Sequence, residues 1–355
     1  MTHIQHRLTE VRRQMQEQDL PALLITQDQN RRYLSGFKGS AGALLITPQQ
    51  AILATDFRYW EQAAQQAPDF EIYHARGTER DYLPGLLEAA GRPTRIGFEG
   101  NALVVSKFEV MTVTLPDVNW VTTNNLVEQV RWVKDADEIA QTRKAIELAE
   151  QAFIDVTARL EPGMTEAQIA WELEAHMRTH GATGLAFDII VASGPNAALP
   201  HHHAADRPIQ EGEPITIDWG AELDGYRSDL TRTIVLGEPD AKFREVYGIV
   251  LKAQLNAIEH FKAGISGKEA DAFARDVIVA AGYGDYFGHS LGHGIGLATH
   301  EGPRASFMAE HEVLPAGTLI TVEPGIYIPG WGGVRIEDMV LLKEGGVEVL
   351  SNLPK

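Results

Sequence analysis

Acidic and histidine side chains interrupt strand-like apolar runs in the C-terminal half of this chain. The run ITIDWG at 215–220 contains Asp218, and the run GYRSDLTRT at 225–233 contains Asp229. Similar runs follow at 287–296 (FGHSLGHGIG), 320–325 (ITVEPG) and 332–338 (GGVRIED). An ionised carboxylate is costly to bury unless a cation or hydrogen-bond donors compensate it. The carboxylates of these runs therefore predict a bound cation.

The turn Asp224-Gly225 fixes how the first two runs pair, because this dipeptide strongly favours a two-residue hairpin. In that hairpin Asp218 lies opposite Thr231, and Asp229 lies opposite Gly220. Since residues two apart in a strand share a face, both aspartates project to the same side, about 7–8 Å apart as diagonal neighbours. This spacing suits two carboxylates that converge on a pair of metal ions roughly 3.5–4 Å apart.

Three further residues are candidates for the same site. Glu323 and Glu337 flank a connection rich in proline and glycine, so the strands beside them can bring them together. His293 lies among glycines, which allow close approach of neighbouring backbone. Taken singly, a strand carboxylate can face solvent and a histidine can be an ordinary core residue. Only the complete set of residues is a specific indication of a functional site.

Two segments of the C-terminal half, 163–181 and 264–282, resemble each other. Each opens with a capping box and reaches a helix-ending glycine 16 residues after its cap, since 181 − 165 = 16 and 282 − 266 = 16. Histidine-containing, strand-like stretches follow at 189–203 and 286–300. We interpret this as a duplicated helix–strand unit with a pseudo-symmetric site between its halves. A chance match of two capped helices is the alternative.

The first 125 residues mix strand and helix patterns. Strands are expected at 21–26, 43–47 and 51–55, and a helix at 79–90. This pattern predicts a compact α/β domain of ordinary size over residues 1–125. Residues 126–355 then form a second domain.

Composition excludes several classes of partner. Acids outnumber bases by 49 − 31 = 18, and a net charge of −18 argues against nucleic acid and anionic membrane surfaces. No apolar run is long enough to cross a bilayer. The chain has no cysteine, which excludes disulfides and thiolate zinc sites. The N-terminus lacks a signal-peptide pattern, so we expect a cytoplasmic protein.

As a set, these motifs resemble the methionine aminopeptidase/prolidase/aminopeptidase P/creatinase superfamily, most closely its short bacterial Xaa-Pro peptidases. The likeness spans 201–338, and RYLSGF (32–37) and TDFRY (55–59) resemble the creatinase-type N-terminal domain. The resemblance implies an α/β N-terminal domain over residues 1–125. It implies an α+β catalytic domain of the pita-bread fold, with an internal pseudo-two-fold repeat, over residues 126–355.

The resemblance also implies two divalent metal ions. The ligands would be Asp218, Asp229, His293, Glu323 and Glu337. Asp229 and Glu337 would bridge the two ions. Four carboxylates and one imidazole form an oxygen-rich set that favours Mn²⁺ or Co²⁺, with Zn²⁺ left open.

Further roles follow from the same resemblance. The catalytic residues would be His201, His289, His300, Glu323 and Arg335, and the substrate-binding residues would be His201, His300 and Arg304. The implied reaction is hydrolysis of the bond between an N-terminal residue and proline, by a homodimer in analogy with relatives. Metal-free creatinase-like hydrolysis and a non-catalytic binding module are disfavoured, because all five ligand positions hold ligand-competent residues. Methionine aminopeptidase is disfavoured because those enzymes usually lack the N-terminal domain.

Two features point to different substrate lengths. The pattern GFxGSxG at 36–42 is similar to aminopeptidase P, which accepts longer peptides. Arg304 follows His300 by four residues and could instead grip the carboxylate of an Xaa-Pro dipeptide, as in prolidases. We expect an aminopeptidase P-type enzyme that also tolerates dipeptides, with a dipeptide-only prolidase as the alternative.

Overall fold

The computed structural model describes residues 2–355, which form two compact units divided between Arg131 and Trp132. The division falls at the end of a helix that the sequence boundary at residue 125 would place in the second domain. Within residues 2–355, no helix is both long and apolar enough to cross a membrane.

The N-terminal unit is built on a mixed sheet with the strand order β4-β3-β2-β1-β5-β6. Its helices are α1 (His3–Glu17), α2 (Asp28–Ser35), α3 (Trp60–Gln66), α4 (Glu79–Ala89), α5 (Val105–Thr114) and α6 (Leu126–Trp132). Its strands are β1 (Leu23–Ile25), β2 (Ala43–Ile46), β3 (Ala51–Thr55), β4 (Glu71–His74), β5 (Arg95–Glu99) and β6 (Asn119–Thr123). The strands expected at 43–47 and 51–55 form the hairpin β2–β3, in which Ala43 pairs with Ala54 and both strands are fully buried.

Helices α2 and α5 of this unit were not evident from the sequence. Helix α2 is short and mostly polar, and it is held by burial of Tyr33 and Leu34. Helix α5 is rich in valine and threonine, whose branched side chains lower helix propensity. In both, tertiary packing outweighs local preference.

The C-terminal unit combines helices with several small antiparallel sheets. Its helices are α7 (Ala136–Thr157), α8 (Glu166–Thr179), α9 (Ala241–His260) and α10 (Gly267–Ala280). Its strands are β7 (Gly184–Leu185), β8 (Ile190–Ser193), β9 (Pro214–Trp219), β10 (Ala221–Leu223), β11 (Tyr226–Arg227), β12 (Leu230–Val235), β13 (Gly292–Gly294), β14 (Glu301–Ala305), β15 (Leu319–Val322), β16 (Gly325–Ile328), β17 (Gly332–Arg335), β18 (Asp338–Lys343) and β19 (Gly346–Val349). The sheets run β11-β10-β7, β12-β9-β8 and β14-β13-β15-β18-β19, and β16 pairs with β17.

The predicted internal repeat is confirmed. Each half has a long helix (α7 or α9) packed on a shorter capped helix (α8 or α10). Both capping boxes form, from Thr165 and from Ser266. Each cap residue also makes a lone antiparallel bridge, Thr165 to Pro208 and Ser266 to Val313. The repeat therefore extends beyond the helices to the segment packed on each helix N-terminus.

The β9–β12 hairpin has the predicted register. Asp218 pairs with Thr231, and Trp219 pairs with Leu230. Trp219 anchors this hairpin to the core, because its ring stacks on Phe153 with centroids 4.5 Å apart and its Nε1 donates to the Ala149 carbonyl. The backbone of the adjacent Asp218 is therefore held rigidly.

Gly220 lets its backbone lie close to the backbone of Ser228, and this packing keeps Asp218 and Asp229 together. A Cβ at this position would lie 1.9 Å from the Ser228 carbonyl oxygen and 2.8 Å from the Ala186 Cβ. Relieving this clash would require the backbone at Ser228 to shift, and the adjacent Asp229 would move with it.

We predict that Gly220→Ala lowers the free energy of unfolding by about 1–3 kcal/mol, because it overpacks a rigid strand pair. Gly248→Ala is the matched control: Gly248 lies inside α9, and among the described residues no heavy atom outside that helix's own backbone lies within 4 Å of a Cβ there. That variant should gain roughly 0.5–1 kcal/mol from helix propensity. Denaturant unfolding of both variants checks this, and equal stabilities would contradict the steric argument.

Candidate metal centre

Three carboxylates from separate segments of the chain meet at one point of the C-terminal unit. Asp218, Asp229 and Glu337 each present an oxygen, and these oxygens all lie within 4.8 Å of one another. Asp218 and Asp229 come from the hairpin. Glu337 reaches them because its backbone bridges to Thr231 on β12, with its N–H donating to the Thr231 carbonyl at 3.1 Å.

His293 and Glu323 complete the cluster. His293 Nε2 lies 3.6 Å from Asp229 Oδ2 and 3.4 Å from Glu323 Oε1. Flanking glycines permit this: a Cβ at Gly292 would lie 2.0 Å from the Thr321 carbonyl oxygen, and one at Gly294 would lie 2.4 Å from the Gly302 carbonyl oxygen. The structure thus brings together all five residues that the sequence predicts as ligands.

The donors of this cluster fit a divalent cation. Asp218 Oδ1 and Glu337 Oε1 are buried and have no hydrogen-bond partner among the described residues, which is costly unless a cation occupies the space between them. His293 Nδ1 lies 3.1 Å from the Gly294 carbonyl oxygen, so Nδ1–H donates there and the Nε2 lone pair faces the carboxylates. A set of oxygens with one imidazole is suited to a hard or borderline divalent ion.

Burial strongly perturbs these groups. It raises the pKa of Glu323 to about 8. It raises the pKa values of Asp229 and Glu337 well above their usual range, and the neighbouring carboxylates add to both effects. Burial also lowers the pKa of His293 to about 4. The cluster therefore binds protons when no cation is present, and a cation would displace them.

Two threonine hydroxyls orient the carboxylates, and sequence reasoning missed both. Thr231 Oγ1 donates to Glu337 Oε2 at 2.7 Å and accepts from Arg335 Nε at 3.1 Å. Thr321 Oγ1 donates to Glu323 Oε1 at 3.0 Å. Each threonine lies two residues from a predicted ligand in sequence, on the same face of the strand, and this spacing was the available signal.

Arg335 links the cluster to its surroundings. Its guanidinium donates to Asp218 Oδ2 at 2.7 Å and to the Tyr327 hydroxyl at 2.8 Å. Pairing with Asp218 opposes the effect of burial, although the pKa of Asp218 is still raised. Arg335 is buried, and Tyr327 and Asp218 hold its own pKa above the usual value. It is therefore a fixed positive charge beside the carboxylates.

Tyr327 joins Arg335 to a predicted catalytic histidine. Its hydroxyl lies 2.8 Å from His289 Nε2, and His289 Nδ1 lies 2.8 Å from the Ser290 carbonyl oxygen. With Nδ1 donating, the tyrosine O–H donates to Nε2 and its oxygen accepts from Arg335. Burial raises the pKa of Tyr327 to about 12 and lowers that of His289 to about 4, which keeps both neutral. Sequence reasoning missed Tyr327, which lies between two isoleucines in GIYI.

The other predicted histidines lie at the exposed side of the cluster. His300 contacts His293, with ring centroids 4.3 Å apart, and burial followed by the charge of His201 lowers its pKa. His201 is exposed and lies in a segment without regular structure. The position of these imidazoles allows contact with a molecule approaching the carboxylates from solvent.

Arg304 lies beside the cluster rather than in it. It pairs with His293 in the β13–β14 register, so both side chains leave the same face of the sheet. Its side chain is 57% exposed and forms an ion pair with Glu312 at 3.4 Å. The Arg304 guanidinium is therefore accessible to solvent on the sheet face that carries His293.

Comparison with known proteins agrees with this geometry. A family model described as "Metallopeptidase family M24" matches residues 140–344, and one described as "Creatinase/Prolidase N-terminal domain" matches residues 7–133. The fold is similar to that of a solved Xaa-Pro dipeptidase from Bacillus anthracis, with 43% identity, a TM-score of 0.96, and coverage of 99% of this chain and 98% of that one.

Two further proteins show the same extent of likeness. An X-Pro aminopeptidase structure from Thermotoga maritima is 41% identical, with a TM-score of 0.90 and coverage of 98% of each chain. An Xaa-Pro dipeptidase from Pyrococcus horikoshii is 38% identical over 338 residues, which are 95% of this chain and 94% of that one.

These matches confirm the predicted combination of a creatinase-type N-terminal domain with a pita-bread catalytic domain. The M24 match covers more than half of the chain and contains every residue of the acidic cluster. This protein is therefore a hydrolytic enzyme that belongs to metallopeptidase family M24.

Proposed function

We propose that this enzyme is an Xaa-Pro dipeptidase, or prolidase. The observation that carries the proposal is the exposed Arg304 guanidinium on the same sheet face as His293, where a dipeptide carboxylate could meet it. The names of the relatives favour the same activity, since the Bacillus anthracis and Pyrococcus horikoshii proteins are both called Xaa-Pro dipeptidases. This replaces aminopeptidase P, the leading expectation from the sequence.

We propose two divalent ions in the acidic cluster, with Mn²⁺ or Co²⁺ favoured and Zn²⁺ possible. Asp229 and Glu337 would contact both ions, Asp218 would complete one site, and His293 with Glu323 the other. The cluster geometry and the unpartnered Asp218 Oδ1 and Glu337 Oε1 support this assignment. Bound ions of this kind supply Lewis-acid activation of water and of the scissile carbonyl.

The chain's own residues would bind and orient the dipeptide. His201 and His300 would contact the substrate from the exposed side and handle protons there, which suits imidazoles. Arg304 would donate two hydrogen bonds to the proline carboxylate in bidentate fashion. Arg335, through Tyr327, would hold His289 in one tautomer and one orientation. The homodimer expected from the resemblance and the cytoplasmic location expected from the N-terminal sequence stay predictions.

A specific observation also favours a second function, X-Pro aminopeptidase. The GFxGSxG pattern at 36–42 is similar to aminopeptidase P, and the Thermotoga maritima relative carries that name. The two functions differ in whether a residue after proline is accepted, so substrate length decides between them.

For the metal ligands, we predict that Asp229→Asn and Glu337→Gln each lose bound metal and lower turnover by more than about 10²-fold, because each carboxylate is proposed to serve both ions. Metal content by inductively coupled plasma mass spectrometry, measured beside activity, checks this. Glu344→Gln is the control, since Glu344 is exposed in the turn between β18 and β19. Two retained ions with near-native turnover in either variant would refute the assignment.

For the metal-free protein, we predict that stability falls as pH rises from about 6.5 to about 8. Glu323 has a pKa of about 8 in the folded chain and 4.5 as its ordinary value, so the folded state binds more protons in this window. Stability must then decrease with pH, by roughly 1–2 kcal/mol from one such carboxyl. The lowered pKa of His293 makes stability rise with pH instead, but this effect lies below the ordinary histidine pKa of 6.5.

Thermal unfolding in chelator across that window measures the effect. Saturating Mn²⁺ should abolish the decline, because a cation stabilises the ionised carboxylates. Glu323→Gln should reduce the decline in chelator. A melting temperature that rises with pH in the metal-free wild type would contradict the account.

For substrate length, we predict that kcat/KM for Xaa-Pro exceeds that for Xaa-Pro-Yaa-Zaa. Arg304→Ala should lower the dipeptide value by roughly 10²-fold, as expected for loss of a charged hydrogen-bonded pair, and leave Xaa-Pro-amide hydrolysis nearly unchanged. Glu312→Gln is the matched control, because it removes the ion pair and leaves the guanidinium. Equal cleavage of both lengths, with equal losses in Arg304→Ala, would favour the aminopeptidase.

A further inference from the structure

A buried carboxylate outside the metal centre has no part in the proposed chemistry. Glu166 is the first residue of α8, and its side chain has 0% exposure. The capping box of this helix is made by Thr165 and Gln168, so Glu166 is not needed for it. A carboxylate in such a place is costly unless its hydrogen-bond partners compensate it.

The hydrogen-bond donors to the Glu166 carboxylate all come from segment 193–205, which carries His201. Oε1 accepts from the Ser193 N–H at 2.8 Å, from Ser193 Oγ at 2.7 Å and from Asn196 Nδ2 at 3.0 Å. Oε2 accepts from His202 Nε2 at 2.8 Å and from the Ala205 N–H at 3.2 Å. One carboxylate thus joins the beginning of segment 193–205 to its end.

Hydrogen bonding keeps this group ionised. Burial acts to raise the pKa of Glu166, but the hydrogen bonds from Ser193 and His202 outweigh it and hold the pKa below its usual value. The position at the N-terminus of α8 favours the same charge state, because the helix dipole is positive there. An ionised carboxylate accepts at both oxygens, which is what a link between two parts of a segment requires.

His201 lies between two anchored neighbours. Arg335 Nη1 donates to the Pro200 carbonyl oxygen at 3.4 Å, and Glu166 holds the His202 ring. The strand β8 ends at Ser193, and residues 199–206 form neither helix nor strand. These two contacts hold the backbone on either side of the exposed His201, which has no regular structure of its own.

We propose that Glu166 is a positioning residue for His201: it fixes segment 193–205 so that this imidazole reaches substrate bound at the metal centre. The proposal rests on the proposed function, since the contact of His201 with substrate is itself proposed.

Comparison with the second half of the repeat supports a specific role for Glu166. The position after the cap is Glu166 in the first half and Gly267 in the second. A Cβ at Gly267 would lie 2.0 Å from the Arg304 carbonyl oxygen, so the backbone itself packs on that helix end. The repeat does not require a carboxylate here, and the first half has one where a segment without regular structure must be held.

Glu166→Gln tests the proposal with little change in shape. The amide keeps one acceptor, but its NH₂ group faces N–H donors, so one end of the segment is released. Thr165→Ala is the matched control, because it removes the cap of the same helix and none of the hydrogen bonds to segment 193–205. Hydrogen exchange of residues 194–205 should accelerate at least tenfold in Glu166→Gln and stay at the wild-type rate in Thr165→Ala.

Activity gives the second readout. Glu166→Gln should retain its metal content and lose roughly 10²-fold in kcat/KM for Xaa-Pro, the loss typical of a misplaced catalytic group. In a His201→Ala background the same change should cost less than about threefold, because the histidine it positions is absent.

Unchanged exchange in Glu166→Gln, or losses that multiply fully in the double variant, would overturn the positioning role. A wild-type enzyme inactive on every Xaa-Pro peptide would defeat the proposed function instead, and the exchange comparison would still decide whether Glu166 holds the segment.

Discussion

Mutual repulsion among buried carboxylates is the constraint on which the catalytic unit depends. Burial disfavours the charged forms of Asp218, Asp229, Glu323 and Glu337, and neighbouring carboxylates further raise the pKa values of Asp229, Glu337 and Glu323. Arg335 compensates part of this charge through Asp218. The remaining negative charge must be neutralised by protons or by cations, and only cations leave the carboxylates ionised. The strands, glycines and threonines around the cluster hold these groups together against that repulsion.

Charged side chains outside the centre hold the segments that carry its accessory histidines. Glu166 fixes the segment of His201. Arg275, paired with Asp271 on α10, donates to the carbonyl oxygens of Phe287 at 2.8 Å and His289 at 2.7 Å. Lys134 forms a buried ion pair with Glu301, the residue after His300, at 3.4 Å. The accessory histidines therefore lie on short segments that are anchored by ion pairs or carboxylates rather than by sheet hydrogen bonds alone.

The sequence was sufficient where local chemistry determines structure. Asp224-Gly225 set the hairpin register, and therefore the common face of Asp218 and Asp229, because a two-residue turn leaves one pairing. The capping boxes at Thr165 and Ser266 marked both repeated helices for the same local reason.

Features that depend on distant partners could not be predicted in this way. Tyr327 is an ordinary strand residue until β16–β17 pairing sets it beside Arg335 and the fold brings His289 to its hydroxyl. Glu166 appears as a first-turn helix acid, and its partners lie 27 to 39 residues away. Helix α2 likewise depends on packing rather than on its polar sequence.

Calorimetric titration of the metal-free enzyme with Mn²⁺ measures whether cations replace protons on the buried carboxylates. Near pH 7, in two buffers of different ionisation enthalpy, we expect two ions per chain and a net release of protons, because ions replace protons on the buried carboxylates. Binding of fewer than two ions, or binding without proton release, would contradict this expectation.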